Sequence, residues 1–220
     1  MLANIQSGRW PVGMAIPSER TLIGDFGVSR IAIREALSML KGLGVLDVQH
    51  GRRTRVRTVG SEAISHLLPV MLNAGPQQTL DQVFEVRLAL ESRTAYLAAS
   101  RWTDSDLRTL TKLATRYRRL SRHGEFKAVG VDLKFHLCIA RMAGNPLYPI
   151  LLEALAGFIV LTQKESCRDD PVRHRRAILS HQAIIDALIS RNPEWARSEM
   201  ESHLRYSATR RVIERGESLS

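Results

Sequence analysis

The stretch PSERTLIGDFGVSRIAIREALSML, residues 17–40, predicts two helices separated by a tight turn. Ser18 is a favourable N-cap residue and Glu19 suits the positive end of a helix, so a first helix begins here. Glycines end this helix after about two turns, and Ser29 then caps a second helix that runs to about Leu43. One apolar stripe at helical spacing follows the second helix, formed by Ile33, Ala36, Leu37 and Leu40.

The segment after these helices alternates valine with polar or basic residues, which predicts two strands. The sequence VLDVQ begins at Val45 and TRVRTV begins at Thr54, with a predicted turn at His50–Gly51 between them. Two short helices followed by a hairpin predict a winged helix-turn-helix domain over residues 1–58. In such a domain the second helix lies in the major groove of DNA and reads bases with its N-terminal part.

Two arginines of the second helix, Arg30 and Arg34, lie four residues apart and away from the apolar stripe. Arginine pairs well with guanine O6 and N7, so we expect both to face bases or the backbone beside them. Ser29 would direct the helix end toward a phosphate. Further arginines from the hairpin would follow the phosphates or enter the minor groove, namely Arg52, Arg53 and Arg55. The alternative is that Arg30 and Arg34 are ordinary solvated charges, with Arg34 near Glu35.

The rest of the chain, residues 59–220, contains long helical patterns with short breaks and little strand signal. Its predicted helices span residues 61–73, 79–100, 104–122, 125–143, 146–165, 172–190 and 194–214. The predicted fold is therefore mostly α, with an N-terminal winged helix-turn-helix followed by an all-α bundle of six or seven helices. The predicted linker lies at residues 57–60.

The charge of the chain indicates a polyanionic partner, since the formal net charge is +10 and the pI is about 10.4. Residues 1–60 hold nine Lys or Arg against four Asp or Glu, which makes this part the more basic one per residue. The longest apolar runs, such as ALAGFIVL at 154–161, are too short to cross a bilayer. Two cysteines outside any CxxC motif and no visible signal peptide predict a cytoplasmic location.

Four polar residues interrupt apolar stripes that are expected to face the core of the bundle. Asp132 and His136 are four residues apart on one predicted helix, so their side chains converge. His181 precedes a predicted turn at Asn192 by 11 residues, and His203 follows that turn by 11 residues. Antiparallel helices with a short connection would place these two histidines at the same height, where the other pair can complete a site.

Three imidazoles and one carboxylate suit a divalent cation such as Zn²⁺, Ni²⁺, Mn²⁺ or Fe²⁺. Four protein ligands would leave one or two coordination positions for water or a small ligand. The alternative is that each histidine is a hydrogen-bonded core residue without a metal. The sequence therefore predicts a metal site and keeps the bland interpretation open.

Arg87 also interrupts an apolar stripe, on the predicted helix over residues 79–100. An inward-facing arginine needs an anion, because an unpaired buried charge is costly. Two anions are available in principle: the side chain of Glu91 four residues later, or the carboxylate of a bound small molecule. The residue pattern alone leaves both open.

Several longer segments of the chain carry a resemblance to a known family. The first region follows the pattern IPSER…GVSR…IREAL, and the second contains VFEVRLALESRTAYLAA, DLKFHLCIARMAGNPLY, HQAIIDAL and ESHL. These segments resemble the GntR family of transcription regulators, in the subgroup with a FadR-type C-terminal domain, called the FCD domain. The resemblance spans almost the whole chain.

This resemblance implies a homodimer that binds a palindromic DNA operator and responds to a small organic-acid effector. The positions that it implies for DNA contact are Arg20, Ser29, Arg30, Ile31, Arg34, His50 and Gly51, next to the hairpin arginines already named. It implies the same four metal ligands, Asp132, His136, His181 and His203, as the spacing does. For the effector it implies Arg87 and Asn145.

The favoured hypothesis is a DNA-binding transcription repressor, not an enzyme, whose operator binding depends on an effector held at a metal-containing pocket. The alternative is a metal-dependent hydrolase or another metalloenzyme, because an open metal position can activate water. A third possibility is a purely structural metal that stabilises the bundle.

Overall fold

The computed structural model describes residues 1–47, 53–58, 60–72, 76–121, 127–160 and 171–213. The chain forms two compact units, Met1–Leu68 and Pro69–Ser220. The predicted fold class is confirmed, since a winged helix-turn-helix precedes a helical bundle. The predicted domain boundary between residues 58 and 59 remains a prediction.

Three helices make up the helical part of the first unit before its wing: α1 (Leu2–Gln6), α2 (Glu19–Phe26) and α3 (Arg30–Gly42). The Ser18 side chain caps α2 by accepting a hydrogen bond from Thr21 N at 3.1 Å. Gly27 ends α2 with a φ of 63°, in the left-handed region that glycine adopts without strain. Both helix boundaries therefore lie where the cap and stop residues predict them.

The wing is a short antiparallel hairpin of β1 (Leu46–Asp47) and β2 (Arg55–Val56), in which Leu46 pairs with Val56. Residues 13–16 extend this sheet, because Val56 N donates to Met14 O at 2.9 Å and Ile16 N donates to Thr54 O at 3.0 Å. The strands are shorter than the alternation of valines suggested. The predicted turn at His50–Gly51 lies outside the described residues.

Apolar side chains from every part of the first unit form its core. The stripe of α3 meets α2 and the wing there, and the buried members are Trp10, Leu22, Ile33, Leu40, Val45, Leu46 and Val56. This packing fixes which face of α3 points inward. The opposite face, with its arginines, is left exposed.

The remaining elements are all helices: α4 (Glu62–Met71), α5 (Pro76–Arg101), α6 (Asp104–Ser121), α7 (Lys127–Met142), α8 (Leu147–Ala154), α9 (described over 156–160), α10 (Pro171–Ile189) and α11 (Pro193–Ile213). Their ends lie within a few residues of the predicted ones. One prediction needs correction, because the helix expected over 146–165 is interrupted by a turn at residue 155.

Helix α5 packs against α7 and α11, and α10 packs against α11 through a connection of residues 190–192. Asn192 caps α11 by accepting a hydrogen bond from Trp195 N at 3.1 Å. Fully buried side chains at the centre of these helices include Phe135, Ile139, Leu188, Met200 and Leu204. Among the helices of the described residues, none is long and apolar enough to cross a membrane.

Candidate functional site

The four polar residues that interrupt apolar stripes meet in the interior of the second unit. Asp132 and His136 come from α7, His181 comes from α10 and His203 comes from α11. All four are buried, and one potential ligand atom from each lies within 4.8 Å of the others. The short α10–α11 connection explains the meeting, since it sets the two later histidines at the same height.

The atoms of this cluster have the spacing of ligands around one cation. His181 Nε2 lies 3.0 Å from Asp132 Oδ1, and His136 Nε2 lies 3.3 Å from His203 Nε2 and 3.7 Å from Asp132 Oδ2. Ligands about 2.0–2.1 Å from a tetrahedral ion lie roughly 3.3–3.4 Å from one another. The buried Asp/His cluster is therefore consistent with a metal site.

The contact between His181 and Asp132 does not replace a metal well. Although His181 Nε2 lies near the carboxylate, neither ring nitrogen of His181 has a hydrogen bond of regular geometry within the described residues. Both nitrogens are buried, and a buried polar atom without a regular partner is costly. A cation between the imidazole and the carboxylate would satisfy Nε2.

The pKa values of the cluster favour the forms that bind metal, for which imidazoles must be neutral and carboxylates ionised. Burial lowers the pKa of His203 well below its usual value, and the neighbouring histidines add to this. Burial also lowers the pKa of His181, against the opposing effect of Asp132. Burial acts to raise the pKa of Asp132, but the contact with His181 and the charges of the histidines hold that pKa well below its usual range.

His136 differs from the other two histidines, because a second carboxylate lies behind it. Its Nδ1 lies 2.5 Å from Glu91 Oε2, and this carboxylate raises the pKa of His136 although burial acts to lower it. A carboxylate on Nδ1 directs the lone pair of Nε2 toward the cluster and raises its basicity, as at many metal sites. This role of Glu91 was not predicted from the sequence.

Arg87 continues this chain of contacts on α5. Its side chain is 6% exposed, and its Nε donates a hydrogen bond of 2.7 Å to Glu91 Oε1. Within the described residues its terminal Nη atoms make no further hydrogen bond. The structure therefore supplies one of the two anions that the sequence left open for Arg87, and leaves the outer edge of the guanidinium available.

Asn145, the other residue expected to bind the effector, is exposed just before α8. Its Oδ1 accepts a hydrogen bond of 3.0 Å from Leu147 N, so the side chain caps the start of that helix. The ligand atoms that cluster around a common point do not include it. Its part in effector binding remains a prediction.

The residues predicted to contact DNA lie in the first unit, and the described ones are exposed: Arg20, Ser29, Arg30, Ile31, Arg34 and Arg53. Ser29 accepts a hydrogen bond of 3.2 Å from Ala32 N and so caps α3 as expected. His50, Gly51 and Arg52 lie outside the described residues. Arg55 donates to Gly13 O at 2.6 Å, which ties this hairpin arginine to the wing itself.

The two arginines of α3 are not independent solvated charges. Glu19, the first residue of α2, accepts from Arg34 Nε at 3.2 Å and from Arg30 Nε at 3.5 Å. The sequence-based alternative placed Arg34 near Glu35, but its partner is on the preceding helix. The 11- and 15-residue separations from Glu19 gave no local signal for this pairing.

A winged helix-turn-helix joined to a helical unit with a buried Asp/His cluster defines a class of DNA-binding regulator. Residues 1–56 match the gntR family of bacterial regulatory proteins, and residues 82–206 match the FCD domain. The chain therefore belongs to the GntR family, in the group that carries an FCD domain.

Relatives and a solved structure agree with this family. The chain is 30% identical to the HTH-type transcriptional repressor NanR of Cronobacter sakazakii, over 87% of this chain and 75% of that protein. It is 27% identical to the Glc operon transcriptional activator of Escherichia coli K12, over 91% and 82%. GntR of Streptococcus agalactiae shares the fold with a TM-score of 0.79 and 30% identity, over 96% and 95% of the two chains. The protein is a transcription regulator and not an enzyme.

Proposed function

We propose that this regulator is a repressor that binds a palindromic operator as a homodimer in the cytoplasm and responds to a small organic acid. Residues 1–58 would bind DNA, and residues 59–220 would bind the metal and effector and form the dimer. The observation that carries the effector half is the buried cluster of three histidines and Asp132. The repressor direction is supported by the name of NanR, at 30% identity.

The metal we propose is Zn²⁺, with Ni²⁺, Mn²⁺ or Fe²⁺ as other ions that the donor set accepts. Asp132, His136, His181 and His203 would hold it, and Glu91 would orient His136 through Nδ1. When bound, such an ion supplies a Lewis acid that attracts an anionic oxygen of a ligand. The chain's own contribution is a buried set of donors whose protonation already suits a cation.

The effector we propose is a small carboxylate, because a second cationic group lies on the same chain of contacts. Arg87 is fixed by Glu91 through Nε, and its Nη edge is open to a further anion within the described residues. A guanidinium edge matches the two oxygens of a carboxylate with parallel hydrogen bonds. Asn145 remains a proposed effector contact on the resemblance alone.

The metal and effector proposal is tested by elemental analysis together with thermal unfolding. Purified protein is heated with a panel of small carboxylates, such as L-lactate and citrate, with and without a chelator. A carboxylate that binds through the metal should raise the melting temperature, and by mass action the increase should vanish with the chelator. The increase should also be absent in His181→Ala and present in His66→Ala, which removes an exposed histidine outside the cluster.

Two results would contradict this part of the proposal. Protein purified without any divalent metal, and unable to take up Zn²⁺ on titration, would exclude the metal site. A chelator that lowers the melting temperature while every carboxylate shift persists would assign the metal a structural role only. The same shift in His181→Ala as in the parent would separate the effector from the cluster.

The DNA half is tested with duplexes selected by the parent protein from a random-sequence pool. Arg30→Ala should weaken binding to the selected duplex by about 1–3 kcal/mol and relax preference at one base pair. Arg9→Ala removes an exposed arginine from the same unit and serves as the control. Equal binding of selected and random duplexes by Arg30→Ala and the parent would exclude base reading by Arg30.

A further inference from the structure

The carboxylate of Glu19 lies between two arginines that the proposed function assigns to DNA. Both of its oxygens lie 3.2 Å from Arg34 Nε, and Oε2 lies 3.5 Å from Arg30 Nε. The Glu19 side chain is 35% exposed, while those of Arg30 and Arg34 are 70% and 64% exposed. One anion on α2 therefore holds two long cationic side chains of α3.

The atoms involved decide what remains available for DNA. In both arginines the contact with Glu19 uses Nε, and within the described residues neither side chain makes another hydrogen bond. A guanidinium engaged through Nε keeps its Nη1–Nη2 edge, which still offers two parallel N–H groups. That edge is one that can pair with guanine O6 and N7. Glu19 thus restrains each arginine without occupying the whole of its donor fork.

Charge gives a second reason to expect an effect on selectivity. Phosphates attract any arginine that can reach them, and this attraction carries no sequence information. Glu19 offsets one of the two positive charges and limits how far each side chain can swing toward a phosphate. Restraint before binding also reduces the side-chain entropy that is lost when a base is read.

We propose that Glu19 is a positioning residue that sets the selectivity of the proposed DNA-binding helix, by holding Arg30 and Arg34 toward bases and away from phosphates. The proposal rests on the base-reading role given to these arginines above. It predicts opposite changes for two kinds of DNA when Glu19 is neutralised, because a released arginine gains phosphate contacts and loses its aim.

The experiment uses the full chain and two duplexes: one selected by the parent from a random-sequence pool, and a scrambled duplex of the same composition. Dissociation constants are measured by fluorescence anisotropy at several salt concentrations for the parent, Glu19→Gln, Glu19→Asp and Glu35→Gln. Glu35→Gln is the matched control, since it removes the same charge from an exposed site on α3 without a printed arginine contact in its place.

We expect Glu19→Gln to bind the scrambled duplex several-fold more tightly and with a salt slope steeper by up to about one. Its preference for the selected duplex should fall about tenfold, and Glu19→Asp should lie between it and the parent. Glu35→Gln should shift both dissociation constants together and leave their ratio unchanged. A ratio in Glu19→Gln equal to that in Glu35→Gln would overturn the proposal.

Arg34→Ala separates this proposal from the one on which it rests. If Arg34→Ala loses preference for the selected duplex while Glu19→Gln keeps it, only the role of Glu19 is wrong. If Arg34→Ala and Arg30→Ala both keep the preference of the parent, the base-reading role fails, and the role of Glu19 fails with it.

Discussion

Two glutamates of this protein hold the same kind of position in very different surroundings. Glu19 lies between Arg30 and Arg34 on an exposed surface, and Glu91 lies between Arg87 and His136 in the interior. Their side chains are 35% and 1% exposed. Solvent screens the first set of charges, whereas removal of one partner from the second leaves buried charge uncompensated. The same arrangement should therefore contribute to stability in one place and to orientation in the other.

The largest effect is expected for Glu91→Ala, which leaves Arg87 and His136 without their shared anion. Loss of one member of a buried ion pair destabilises by about 3–5 kcal/mol, so the free energy of unfolding should fall by that amount. Urea unfolding followed by circular dichroism measures it. Glu85→Ala, an exposed glutamate on the same helix, should change it little. Equal stability of the two variants would remove the contrast on which the comparison depends.

Acid should weaken the buried arrangement over a defined range. Burial acts to raise the pKa of Glu91, but Arg87 and His136 outweigh burial and lower it to about 2, from 4.5 in the unfolded chain. A carboxylate with a lowered pKa stabilises the fold above its unfolded pKa and loses that contribution as the pH falls through the folded one. The shift corresponds to about 3 kcal/mol, lost between roughly pH 5 and 2.

This loss is measured as the pH dependence of the unfolding free energy in the presence of a chelator. Glu91→Gln cannot titrate at this position, so its stability should fall less steeply with acid than that of the parent. Asp132, whose pKa is also held low, contributes in the same direction in both proteins. Identical acid profiles for the parent and Glu91→Gln would show that the ionised carboxylate does not stabilise the interior.

The smallest effect on stability is expected for Glu19→Gln. Exposed ion pairs contribute about 0.2–1 kcal/mol, so the free energy of unfolding should change by no more than about 1 kcal/mol. Urea unfolding measures it beside Glu35→Gln. A loss as large as that of Glu91→Ala would mean that Glu19 acts through the fold of the first unit rather than through the aim of its arginines.

The sequence predicted those parts of the molecule that depend on local pattern. Cap and stop residues located α2 and α3, because Ser18, Ser29 and Gly27 act on backbone groups only a few residues away. The meeting of His181 with His203 was also predictable, since one short connection fixes the heights of both. In each case the decisive distance along the chain is short or is set by a single turn.

The contacts of the two glutamates were beyond such reasoning for a physical reason. Glu19 and Arg34 come from different helices, and Glu91 and His136 are 45 residues apart, from 91 to 136. Which side chains touch across two helices depends on the rotation of each helix and on rotamers, which no periodicity specifies. Asn145 shows the same limit, since its local role as a cap is visible only in the structure.

The capped connection between α10 and α11 also restricts which lengths of chain this protein could tolerate. A helix turns about 100° per residue, so one residue inserted in α11 ahead of His203 would swing that imidazole out of the cluster. An insertion beyond His203, toward Ile213, would leave the cluster in register. The interval from 181 to 203 thus acts as a ruler whose length is fixed by coordination geometry, whereas the chain beyond it is free to lengthen or shorten.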